Sequence, residues 1–186
     1  MKTILFSIIL LLGTICVPAQ TYYYNNTKTF NENGYTYQCD VENGSGYVTL
    51  YNKSNQLTYV NMVNKTTGKY YFPLEDEPDT YIEESWVRPR RNSIINNAFT
   101  ATEKQRLKGY KLSTTLYISP ATGKIMEICF NFTTNNPFAT IPVSVYRNIE
   151  VQLKEKIWFA PTAEASKYNY LFYHWRQEAE LFLPKK

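Results

Sequence analysis

Between residues 110 and 133 the chain alternates in polarity at period two, turns once, and alternates again, a pattern that specifies a β-hairpin with one buried face. Leu112, Leu116 and Ile118 share a face of the first arm. The cluster Ser119-Pro120-Ala121-Thr122-Gly123-Lys124 supplies the turn. In the second arm, residues 125–133, Met126, Ile128, Phe130 and Phe132 share one face, and Glu127, Cys129 and Asn131 the other. After Pro137 and Pro142 the period changes. Tyr146, Ile149, Leu153 and Ile157 recur at helical spacing, which predicts an amphipathic helix over residues 143–157 with Arg147, Glu150, Lys154 and Glu155 outside. A last strand over 168–177 follows the small-residue segment 161–166.

Upstream, tyrosines alternate with polar residues, as in Tyr35-Thr36-Tyr37, and such residues fit a pleated, half-buried surface. Residues 46–51, 57–63 and 69–72 read as three strands separated by Asn-rich turns. Residues 73–97, acidic and then Arg-rich around Pro89, read as a long irregular connection anchored by Ile94-Ile95. Thr100 with Glu103 fits a reciprocal helix cap, and Gly109 fits the stop. The expected fold class is therefore α+β: an N-terminal antiparallel β-meander, a short helix, then a β-β-α-β unit, packed as one domain over residues 20–186.

Residues 1–19 read as a signal peptide. Lys2 is followed by a nearly unbroken apolar run from Ile4 to Val17, with Pro18-Ala19 before the expected cut. The run is short for a helix that stays in the bilayer, so export to the periplasm or cell surface is expected, with no membrane span after cleavage. Cys16 raises a lipidated N-terminus as an alternative, but bulky Ile15 precedes it. With 20 Lys and Arg against 16 Asp and Glu, scattered among one another, nothing calls for nucleic acid or an anionic membrane. The remaining cysteines, Cys39 and Cys129, are either a disulfide, which would stabilise the fold by about 4 to 5 kcal/mol, or two buried thiols.

Ile118-Ser119-Pro120 with Gly123-Lys124, a helix ending in Leu153-Lys154, and Ile157-Trp158-Phe159-Ala160-Pro161 together resemble the C-terminal domain of TonB-type energy-coupling proteins. That resemblance implies an envelope structural component. The chain lacks the long Pro-rich spacer of working TonB proteins. Its signal ending in Ala-Gln and its Asn, Lys and Tyr usage look like a small uncharacterised exported protein family of Bacteroidota.

No catalytic, metal or cofactor motif stands out. His174 is the sole histidine, sits between Tyr173 and Trp175, and has no companion at metal-ligand or Gly-x-Ser-x-Gly spacing. Glu75-Asp76-Glu77-Pro78-Asp79 with Glu83-Glu84 lacks the glycine-turned calcium loop and reads as a solvated segment pairing with Arg88, Arg90 and Arg91. Tyrosine is abundant, at 17 residues, and Tyr22-Tyr23-Tyr24, Tyr70, Tyr71, Trp86 and Trp175 are the candidate ligand-binding aromatics, for a protein or glycan partner. The leading expectation is an exported non-enzymatic binding protein, with a small carbohydrate-active hydrolase as the alternative; oligomeric state stays open.

Overall fold

The computed structural model describes residues 21–71 and 79–179. In chain order the elements are β1 (Lys28–Glu32), β2 (Tyr35–Val41), β3 (Tyr47–Asn52), β4 (Tyr81–Ile82), α1 (Val87–Ala98), α2 (Ala101–Leu107), β5 (Lys111–Ile118), β6 (Ile125–Thr133), α3 (Val143–Lys156), β7 (Ala160–Pro161) and β8 (Leu171–Glu178). A six-stranded antiparallel sheet runs in the order β1-β2-β3-β6-β5-β8, and β4 pairs with β7 separately. The α+β class holds. The meander arises where Asn33 and Gly34, both at positive φ, close the β1–β2 hairpin with the backbone handedness its twist requires.

The expected central hairpin is β5–β6, and α3 lies across it as its apolar stripe demands. Tyr146, Ile149, Leu153 and Ile157 are all buried, with the Tyr146 ring 5.0 Å from that of Phe130 and stacked 5.6 Å from Phe132. Tyr24 completes this core, with its ring 5.3 Å from Phe132 and its hydroxyl donating to Ile141 O at 2.9 Å. It is therefore a core tyrosine, and of the Tyr22-Tyr23-Tyr24 run only Tyr22 is exposed. α2 carries the expected reciprocal cap between Thr100 and Glu103.

Four expectations are corrected. Residues 57–63 and 69–71 are not sheet strands, because both edges of β3 are already taken by β2 and β6. The segment instead crosses the sheet, held by side chains: Asn55 Nδ2 donates to Ile128 O, and the Gln56 and Leu57 N–H groups donate to the Glu127 carboxylate. The supposed irregular stretch contains α1. Pro89 falls in its first turn, where the missing N–H would have no intrahelical acceptor anyway. A bulge sets Ile118 opposite Ile125 rather than Met126, so Ile125 is buried and Met126 is exposed. Glu150, placed outside by the helical wheel, is fully buried.

Candidate functional site

Pairing register decides which side chains meet. On the face turned away from α3, cross-strand partners align Asp40, Thr49, Asn131, Ser113 and Arg176 in one row. The adjacent row is Gln38, Tyr51, Cys129, Thr115 and His174. At about 4.8 Å per strand, each row spans about 19 Å. The opposite face, carrying Leu50, Phe130, Thr114 and Trp175, lies under the helices. The 55–63 crossing covers only part of the first face, leaving a trough beside it.

Two depressions of about 470 and 490 Å³ adjoin in this trough and share Tyr47. A third, about 450 Å³, lies between residues 58–62 and Tyr117, Tyr170 and Phe172. Three exposed rings border these depressions: Tyr47 at 43% and Tyr59 at 67% exposure in the trough, and Phe172 at 43% in the third. Tyr59 is oriented by its hydroxyl, which donates to Asp40 Oδ2 at 2.7 Å, while Tyr51 donates to the same oxygen at 2.8 Å. Burial works to raise the Asp40 carboxyl, but hydrogen bonds from Tyr59, Gln38 and Tyr51 outweigh it and hold Asp40 below the usual carboxylate range.

His174 lies between two hydroxyls, 3.1 Å from Ser113 Oγ and 3.1 Å from Thr115 Oγ1, with its ring parallel to Phe172. Burial first, then the Arg176 charge, lowers its pKa and keeps the imidazole neutral near pH 7. No carboxylate hydrogen-bonds the ring among the described residues. No group of three His, Cys, Asp or Glu side chains there is placed to hold a metal ion.

The expected aromatic residues do not assemble. Trp175 is buried on the helix-covered face beneath Arg91, whose guanidinium lies 4.6 Å from its ring centre. Trp86 packs on Trp158 at 4.5 Å, with Arg90 over it at 5.1 Å. Tyr70 is exposed beside a bridge to Val63, and Tyr71 rests on Tyr168 at 5.1 Å. Cys39 and Cys129 lie on opposite faces with β3 between them, since Cys39 faces Leu50 whereas Cys129 faces Tyr51. Of the two alternatives, the structure holds free, buried thiols, pushed up to about 12 and about 11 chiefly by burial. Of the acidic stretch, Glu75 to Pro78 lie outside the described residues, as does the signal segment. Glu83 pairs with Arg88 at 3.4 Å and Arg91 at 3.3 Å.

Tyr47, Tyr59, Asp40, Ser113 and Arg176 were not singled out from sequence. Tyr59 lies outside any strand, but for the others the signal is in the polar halves of the alternating strands: Asp40 lies two residues from Gln38, Ser113 two from Thr115, and Arg176 two from His174.

A family described as "Domain of unknown function (DUF5043)" matches residues 20–175. The chain is also similar to a crystal structure of a DUF5043 family protein from Bacteroides uniformis, at 42% identity and a TM-score of 0.82, over 89% of this chain and 93% of that one. This relative fits an uncharacterised Bacteroidota family, and neither match carries the TonB-type resemblance. No curated protein matches the chain. The chain belongs to the DUF5043 family.

Proposed function

We propose that this member of the DUF5043 family is an exported binding protein of the periplasm or cell surface that holds a saccharide in the trough on its sheet without turning it over. The observation that carries this reading is the pair Tyr47 and Tyr59, two exposed rings along a row of hydrogen-bonding side chains, with a third exposed ring, Phe172, in the adjoining depression that Tyr59 also lines. A sugar ring offers an apolar C–H face and a rim of hydroxyls, and aromatic faces beside Asp40, Thr49, Asn131 and Ser113 match both. Export is supported by the family match opening at residue 20, next to the expected cut. No helix among the described residues is long and apolar enough to cross a membrane.

Ser113 beside His174 favours a second reading, a hydrolase using serine as nucleophile. It ranks lower because the far ring nitrogen meets the Thr115 hydroxyl rather than a carboxylate able to stabilise an imidazolium. Paired-carboxylate chemistry ranks lower too, since Asp40 is engaged by two phenols and Glu127 by two main-chain N–H groups.

Screening the protein on a glycan array, followed by titration calorimetry of the hits, tests the reading. Tyr47→Ala and Tyr59→Ala should each weaken binding about tenfold, in line with the loss of a buried aromatic contact. Binding unchanged in the double variant would reject the trough as the site. Turnover of any array ligand, abolished by His174→Gln, would favour the hydrolase. The intact mass of protein from its native host should begin at Gln20, and a lipid on Cys16 would replace the free form with an anchored one.

A further inference from the structure

We infer that the saccharide taken by this trough carries an anionic group, a carboxylate or a sulfate ester, seated between Arg176 and Lys111. The inference rests on the saccharide reading and adds the ligand's charge and direction. The depression of about 490 Å³ at the β5–β8 end includes Lys111, Arg176, Ser113, Asn131 and His174 in its lining and has no carboxylate there. Among the described residues, neither Lys111 nor Arg176 forms an ion pair. The acid opposite Lys111 in register, Glu178, accepts the Gly109 N–H at 2.9 Å.

The neighbouring depression has the opposite character. It is lined by Asp40 and Glu42 with Thr49 and Tyr59, and carries no cation. Tyr47 stands where the two meet. The trough is thus acidic toward β2 and basic toward β8, along a row about 19 Å long at the ordinary strand spacing. A uniformly charged polyanion would meet Asp40 and Glu42. A chain with its acid at one position and neutral rings elsewhere sets the anion at Arg176 and its hydroxyls over Asp40, whose carboxylate accepts from them. The Arg176 guanidinium presents a planar fork of donors that suits a carboxylate or sulfate in bidentate fashion. The Ser113 hydroxyl lies opposite Arg176 in register and adds a donor to the seat, and His174, two residues earlier on β8, orients that hydroxyl through their 3.1 Å contact.

The test uses three probes on the protein by titration calorimetry: a mixed neutral and uronate-containing oligosaccharide, its carboxyl-reduced counterpart, and a singly sulfated oligosaccharide of the same backbone. The uronate or the sulfated probe should bind at least tenfold tighter than the reduced one, and whichever of the two holds the advantage names the anion's source. Arg176→Gln should cut that preference to below twofold. Lys111→Gln, a second exposed variant, should lower the preference in the same direction. The reduced probe binding as tightly as both anionic ones would overturn the anionic inference and leave the saccharide reading in place. Binding by none of the three, with the glycan array also silent, would overturn both.

Discussion

Replacing Glu150 by Gln should cost about 1 to 3 kcal/mol at pH 7, although a helical wheel marks the position as surface. The carboxylate is fully buried and accepts from the Tyr37 hydroxyl, from Arg147 Nη1 at 3.1 Å and from Lys154 Nζ at 2.8 Å. Hydrogen bonds to a charged group contribute about 1.5 to 3 kcal/mol each, and removing one member of a fully buried ion pair costs about 3 to 5 kcal/mol. The loss here is smaller because the Arg147 and Lys154 side chains remain 33% and 30% exposed and can be re-solvated, while the amide oxygen still accepts from Tyr37. Burial works to raise the Glu150 carboxyl, but hydrogen bonds from Lys154 and Tyr37 and the charge of Lys154 outweigh it and hold the pKa below the usual range. A folded pKa below the unfolded one contributes stability above about pH 4.3, and that contribution is lost as pH falls through the folded value. Urea unfolding of wild type and Glu150→Gln at pH 7, 5 and 3 reads both effects. The gap should be widest at pH 7 and shrink toward pH 3. A gap under about 0.5 kcal/mol at pH 7, the range of ordinary surface changes, or one that widens on acidification, would show that the buried carboxylate does not stabilise the fold.

Leu153→Ala removes a fully buried side chain from the α3 stripe and should cost about 2 to 5 kcal/mol in denaturant unfolding. Gly123→Ala should be at least as damaging as a cavity mutation. Gly123 has φ +69°, and an added Cβ would fall 1.8 Å from Phe159 O, so the turn must move and lose its Gly123 O to Phe159 N bond; a Tm within a degree of wild type would contradict this. Thiol titration of unreduced protein spanning residues 20–186 should find Cys39 and Cys129 both reactive in denaturant and nearly inert when native, since burial raises both pKa values. Zero thiols in denaturant would mean that they pair after all.

Period-two alternation in residues 110–133 and the helical stripe Tyr146, Ile149, Leu153 and Ile157 identify their elements from the chain alone, because each depends only on neighbours along the backbone. The Thr100 and Glu103 cap is equally local. Asn33-Gly34 was just as readable a hairpin signal and defines β1–β2.

What sequence determined by itself was therefore the α+β class, the hairpin, the covering helix and the two-faced character of each strand. Beyond the hairpins, which strands become neighbours is decided only in three dimensions. Once β3 pairs with β6 rather than with residues 57–63, Asp40, Ser113 and Arg176, far apart in the chain, fall into one row, and Cys39 and Cys129 fall on opposite faces. The same long-range packing buried Glu150, because the Tyr37 hydroxyl from β2 meets its carboxylate under the β-meander. Alternation tells a strand which side chains share a face; only non-local pairing, with its closure entropy and register, says which faces combine into a site.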